Sequence, residues 1–365
     1  MRAYLGTSLA AVGAASADAQ LRLSEPKSAS HHQADAAVLA ALEKHADPVD
    51  ALLSLHPERA DELAQPRLLR ILDGDTTWMT EGDKLRLKRQ GKKFADVTDH
   101  DEFIQANQRS SQAAQAHLPT LSHQGLVKSL LPLVSTQRLR SDLETLTSFY
   151  SRYYICEYGE RSALWLHDQI AEVRYVLATY PSYPTSPGRE RIIRDSPFHS
   201  HISLEYFTHD FPQPSILARF EPRVRNSSLP LTILGAHQDS MNYESPLLPA
   251  PGADDDGSGT ISSLEAFRVL ARSGFVPLDG PVEFHWYAAE EGGLLGSQAV
   301  ARDKKESGAR IGAMLNLDMT GFLARNKTEG IALIETQTDG ALTRWTTDLA
   351  GEYLSIPAKI GKFPR

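Results

Sequence analysis

Four short polar clusters carry most of the chemistry open to this chain. His237-Gln-Asp239-Ser240 closes the apolar run 231–236, and Pro251-Gly252-Ala253-Asp254-Asp255-Asp256-Gly257-Ser258-Gly259 leads into a helical pattern. Ala288-Ala289-Glu290-Glu291-Gly292-Gly293 follows a second apolar run, and Asn316-Leu317-Asp318-Met319 follows a third. His237 and Asp239 stand two apart, so an extended chain points them the same way. A metal-bound histidine usually gives its second ring N–H to a carboxylate, and Asp239 could serve there.

Each cluster also has a plain structural reading. A histidine at a strand end is more often a satisfied structural residue than a ligand. One aspartate of 254–256 can cap the following helix, but capping explains three of them poorly. Gly257 and Gly259 would let backbone approach a site closely. Glu290 and Glu291 can favour a helix dipole, or divide labour between metal binding and general base. Asp318 alone says little. Their order is more specific than any member: His, Asp, Glu-Glu and Asp, each closing its own strand. Carboxylates with an imidazole suit zinc, and one shared aspartate would bridge two ions about 3.5–4 Å apart.

The elements that must position these residues read as an α/β fold. Strands are expected at 203–208, 215–220, 231–236, 282–288, 311–317 and 331–335, with helices at 259–272, 294–305 and 341–354 among them. Such alternation builds a sheet with helices on its faces, and chemistry gathers where its strands end. Helices are also expected at 125–133, 137–150 and 161–179, followed by a Pro/Ser-rich loop, 180–188. Upstream, residues 20–94 read as polar and helical without strands, with apolar helical spacing over 39–55 and 58–72. That stretch ends in a basic cluster holding Lys88-Arg89 and Lys92-Lys93. A solvated helix face and processing sites both explain such pairs. Residues 101–122 read as a linker or early surface segment.

Composition narrows the class. The chain has 365 residues, 41% apolar, and 38 basic against 46 acidic side chains give a net charge of −8. An acidic chain does not suit general nucleic-acid binding, and no apolar run reaches the length of a membrane-spanning helix. The single cysteine, Cys156, cannot form an internal disulfide and by itself hints at a reducing compartment. Residues 1–19 argue otherwise. Arg2, an alanine-rich run and Ala17-Asp18-Ala19 before Gln20 fit a signal peptide. Asn226-Ser227-Ser228 and Asn326-Lys327-Thr328 are compatible glycosylation acceptors. The chain is therefore read as secreted and extracellular. No Gly-x-Ser-x-Gly occurs, which disfavours a serine hydrolase.

Taken together, the four clusters resemble the motifs of the secreted two-zinc leucyl aminopeptidases of bacteria and fungi. Thr147-Ser-Phe-Tyr-Ser-Arg-Tyr-Tyr154 and Gln90-Gly-Lys-Lys-Phe-Ala-Asp-Val-Thr98 extend the likeness, the latter being similar to the end of a fungal pro-region. The resemblance implies a three-layer α/β/α zinc-exopeptidase fold with a mixed, mostly parallel sheet. It also implies a signal peptide at 1–19, a helical pro-segment over 20–100 and a peptidase domain over 101–365. Asp255 would bridge two zinc ions; His237 and Asp318 would complete one site and Glu291 would bind the other. Glu290 would be the general base, Asp239 would orient His237, and Met319 would line the substrate pocket. A cis peptide is expected at Asp255-Asp256. Glu290 would take a proton from the attacking water and pass it to the leaving amine, while zinc polarises the carbonyl. Peptide or protein N-termini are the expected partners, with no nucleic acid or membrane, and the chain is expected to be a monomer.

One departure stands out. The family's last zinc-ligand histidine lies in a segment reading Cys-Gly-Tyr-x-Cys-Ser-Asp-His, and no His or Cys follows Asp318 here. The expectation is a chain ending before that histidine, its peptidase domain lacking an internal strand. Two other readings are a catalytically inactive homologue acting as a binding domain and a one-zinc glutaminyl cyclase-like enzyme.

Overall fold

The computed structural model describes residues 33–71, 76–100, 118–179, 201–224, 226, 229–278, 280–323 and 328–362. The expected signal peptide, most of the 101–122 segment, the 180–188 loop and Asn326 lie outside the described residues.

The N-terminal part is not purely helical. Helices α1 (Ala36–Lys44) and α2 (Pro48–Leu55) divide the expected 39–55 helix. Pro48 at the first position of α2 and Asp47, whose side chain accepts from Val49 N, make a new helix start there. The 58–72 helix ends early, as the one-turn α3 (Ala60–Leu63). Strand β1 (Pro66–Ile71) then pairs antiparallel with β2 (Thr76–Thr80) and with β3 (Phe94–Asp96). A short apolar run such as Leu68-Leu69-Arg70-Ile71 has no periodicity that separates helix from strand. The pairing decides, burying Leu69 against Leu87 and Phe94. Between β2 and β3 runs α4 (Glu81–Arg89), opened by a reciprocal Thr80–Asp83 capping box.

Helices α5 (Gln124–Leu130), α6 (Thr136–Leu146) and α7 (Glu157–Thr179) come next, as expected. The central sheet then assembles from β4 (Ile202–Phe207), β5 (Ser215–Phe220), β6 (Leu231–His237), β7 (Val282–Tyr287) and β8 (Ile311–Asn316). Its spatial order is β4-β5-β7-β6-β8. The crossovers carry α8 (Gly259–Arg272) and α9 (Leu295–Glu306).

The sheet is evenly mixed rather than mostly parallel. β4 with β5 and β5 with β7 run antiparallel, while β6 runs parallel to both β7 and β8. A short link joins β4 to β5 as an antiparallel hairpin, and helical crossovers join β6 to β7 and β7 to β8. On one face Ile216, Phe220, Phe284 and Trp286 pack on Leu166 and Ile170 of α7 and on Leu264 and Phe267 of α8. On the other, Leu217 and Tyr287 meet Val300 of α9.

β8 is an edge strand, and its Ile311, Met314 and Leu315 are exposed. Beyond it, β9 (Ile331–Ile334), α10 (Gly340–Tyr353) and β10 (Ala358–Gly361) form a separate parallel pair with its crossover helix. β10 had no counterpart in the sequence reading. Cys156 is free and buried, and burial pushes its thiol up to about 11. No described helix is long and apolar enough to cross a membrane.

Candidate metal centre

Parallel pairing of β6 with β7 and β8 brings three strand ends to one rim of the sheet. His237 is the last residue of β6 and pairs with Tyr287 at the end of β7. Its backbone is held from two sides: its N–H donates to Asp256 Oδ2 at 3.3 Å, and its carbonyl accepts from Thr260 Oγ1 at 2.7 Å. The imidazole is 2% exposed. Its Nε2 lies 3.1 Å from Asp255 Oδ1 and 3.9 Å from Asp318 Oδ1, and its Nδ1 lies 3.3 Å from Asp239 Oδ1. Neither ring nitrogen makes a hydrogen bond of good geometry.

The three aspartates of the 254–256 run have separate tasks. Asp254 Oδ1 accepts from Ser258 Oγ and from Gly321 N, tying the loop to the segment after Asp318. Asp256 is buried and accepts from His237 N, Gly259 N and Met319 N, so it joins β6, α8 and the 318–319 corner. It is the aspartate that caps. A Cβ at Gly259 would collide with this carboxylate, which explains the glycine at the helix start. Asp255, left between them, points its carboxylate at His237. The expected cis peptide is present at Asp255-Asp256.

Asp239, fully buried, organises the remaining cluster. Its two carboxylate oxygens accept the backbone N–H groups of Glu290 and Glu291, both at 3.0 Å. Ala289 and Met319, each adjacent to a site acid, have φ of +54° and +50°. Side chains rarely adopt that region except where the surroundings hold them.

Crowded acids at one rim leave an electrostatic mark. Burial raises the Asp256 carboxyl to about 8, and it raises the Asp318 and Glu290 carboxyls too, with neighbouring acids adding to the effect. At Asp255 burial also raises, but the His237 ring and the Lys88 and Lys93 cations outweigh it and hold the group below its ordinary value.

Among the described residues, His237, Asp255 and Asp318 form the one group whose ligand atoms all lie within 4.8 Å of one another. A buried imidazole backed by Asp239 and facing two half-exposed carboxylates fits a zinc ion by donor type. Glu291 is placed differently. Its Oε2 is ion-paired with Lys88 Nζ, which also lies 4.0 Å from Glu290 Oε2. The site thus presents one metal-binding cluster where two ions were expected. Met319 sits on the rim, 39% exposed.

Three functional neighbours escaped the sequence reading. Tyr243 Oη donates to Asp255 Oδ2 at 3.4 Å. Arg152, fully buried, donates to the carbonyls of Gln238, Pro251 and Gly252 and so shapes the loop between His237 and Asp255. Lys88 was read as a surface or processing residue. The polar, turn-rich tract around Tyr243 carries no signal, but Arg152 lies inside the 147–154 segment that resembles the family.

The description "Peptidase family M28" matches residues 216–360. Leucine aminopeptidase 1 of Chaetomium globosum is 37% identical over 298 residues, covering 79% of this chain and 68% of that protein. Leucine aminopeptidase 1 of Trichoderma harzianum is 38% identical over 301 residues, covering 80% and 69%. Among solved structures, the LapA aminopeptidase of Legionella pneumophila shares the fold, with a TM-score of 0.63 and 23% identity over 83% of this chain and 78% of that one. The chain belongs to peptidase family M28, as a relative of the fungal leucine aminopeptidases, and is by that resemblance a metallo-aminopeptidase.

Proposed function

We propose that this chain is a secreted zinc-dependent aminopeptidase acting on peptide N-termini, with apolar, leucine-like first residues preferred. The observation that carries the reading is the buried His237 ring, whose Nε2 faces the carboxylates of Asp255 and Asp318 at 3.1 and 3.9 Å. These three residues would hold zinc, which supplies Lewis acidity toward the scissile carbonyl when bound. Asp239 fixes the imidazole from behind and clamps the Glu290-Glu291 backbone. Glu290, held at the rim by that clamp, takes the proton of the attacking water and delivers it to the leaving amine. Burial raises its carboxyl above the ordinary value, the direction that favours holding the proton it must later release. Met319 would line the pocket for the first side chain.

Residues 20 to about 100 are assigned as the pro-segment. The pair Lys92-Lys93 occupies an exposed turn between α4 and β3, whereas Lys88-Arg89 lies in α4 and is engaged with Glu291 and Glu244. Processing is therefore assigned to the Lys92-Lys93 turn. Asn226, exposed between β5 and β6, is proposed as glycosylated.

The Lys88–Glu291 pair favours a second reading, a form that holds one cation and does not turn over as folded. Zinc-loaded chain incubated with leucyl p-nitroanilide, an N-acetylated leucyl control and a peptide beginning with glutamine separates the possibilities. Hydrolysis confined to the free-amine substrate supports the aminopeptidase. Zinc binding without hydrolysis transfers the assignment to the non-catalytic binding domain, and cyclisation of the glutaminyl peptide to the one-zinc cyclase.

A further inference from the structure

α4 crosses the rim of the sheet and sends one cation into the acid cluster. Its position is set by apolar burial on both flanks: Leu85 packs with Tyr153, Tyr154 and Ala289, and Leu87 packs with Leu69 and Phe94. Arg86 pins the same turn to Asp47 and Asp83. Lys88 follows directly, its side chain only 12% exposed, with the ammonium on Glu291 Oε2 and 4.0 Å from Glu290 Oε2. The rings of Phe94 and Tyr243 wall it in, their centroids 5.7 and 5.4 Å from Nζ. Tyr243 also reaches Asp255. Tyr243 thus spans from the ammonium to Asp255 Oδ2, while Asp255 Oδ1 faces His237.

We propose that Lys88 is a built-in stand-in for a second divalent cation: it neutralises Glu291 and keeps a second metal out while α4 is docked. This rests on the metallopeptidase reading given above. A monovalent ammonium and a divalent ion compete for one buried carboxylate, because their mutual repulsion is little screened there. The His237–Asp255–Asp318 cluster stays open, since the side chains of Asp255 and Asp318 are 36% and 38% exposed, whereas that of Glu291 is 2% exposed. Docking of α4 thus blocks the Glu291 side of the site, and its departure leaves Glu291 bare for another ion.

The test is zinc titration of the full chain by competition with a chromogenic chelator. Lys88→Met keeps the packed stem and removes the charge; Lys88→Arg keeps the charge. Wild type and Lys88→Arg should bind one zinc tightly. In Lys88→Met the first zinc should bind as before, and a second should bind about tenfold or more tightly than in wild type. A second-zinc affinity equal in wild type and Lys88→Met overturns the proposal while leaving the first site, and the metallopeptidase reading, intact. Zinc binding by none of the three overturns both. Glu291→Gln in the otherwise unchanged chain gives an independent check: its single zinc should be retained, and its loss would mean that Glu291 already serves that ion.

Discussion

Asp239 Oδ1 accepts the backbone N–H of Glu290 at 3.0 Å, across 51 residues of sequence. One buried carboxylate thereby sets the place of the proposed general base, and the same oxygen lies 3.3 Å from the His237 ring. The proposed metal ligand and the proposed base are coupled through a residue that need touch neither substrate nor ion.

Asp239→Asn should therefore impair two things together. An amide offers one acceptor where the carboxylate offers two, and its N–H₂ opposes a backbone donor. Loss of such a supporting carboxylate costs about 10–100-fold in metal affinity or activity. A zinc affinity and turnover both indistinguishable from wild type would show that the clamp is dispensable.

Glu290→Gln separates base from ligand. Zinc affinity should be unchanged, while turnover falls about 10²–10⁴-fold, the usual contribution of general acid–base catalysis. The decisive measurement is kcat on leucyl p-nitroanilide with zinc content determined on the same sample. Full activity would remove Glu290 from its assigned role.

Zinc should stabilise the folded chain. With zinc at about 100 times its dissociation constant, linkage gives about 2.7 kcal/mol, read as a rise in the urea midpoint. Asp255→Ala removes a carboxylate 3.1 Å from His237 Nε2 and should abolish that rise. A rise that survives in Asp255→Ala would place the ion elsewhere.

Acid stability should depend on a second buried cluster, remote from the metal centre. Glu283 meets His285 Nε2 at 2.5 Å, Arg219 at 2.9 Å and Lys304 at 2.9 Å. Burial raises its carboxyl, but His285 and Lys304 outweigh this and bring it down to about 2. The native state then binds fewer protons than the unfolded chain, so this contribution is complete above the ordinary carboxylate value of about 4.3 and is lost as pH falls toward 2. Burial also lowers His285, against the pull of Glu283, which adds a loss of the same sign as pH falls below about 6.5. Glu283→Gln should lower stability at neutral pH and flatten the acid limb of urea midpoint against pH. Parallel curves for the two proteins would count against the assignment.

Much of the peptidase core was legible in the primary structure because its elements are long and strongly patterned. The strand at 231–236, the helix at 259–272 and the strand at 282–288 appear within a residue of their expected bounds. The polar clusters were legible too, since each interrupts an apolar run abruptly. The 66–71 strand was not, because a run that short has no periodicity separating helix from strand, and its pairing with 76–80 decides. Nor was strand direction, which follows from how each connection is built.

The sequence by itself determined which residue types could bind a cation and the order in which strands deliver them. Tertiary structure alone decided their allocation: Asp255 to His237, Asp256 to capping, Asp239 to the Glu290-Glu291 backbone and Lys88 to Glu291. The physical reason is separation along the chain. Lys88 and Glu291 are 203 residues apart, and no local periodicity relates them. Their meeting follows from the apolar docking of α4 across the rim of the sheet, which places an ammonium where the strand ends have gathered their negative charge.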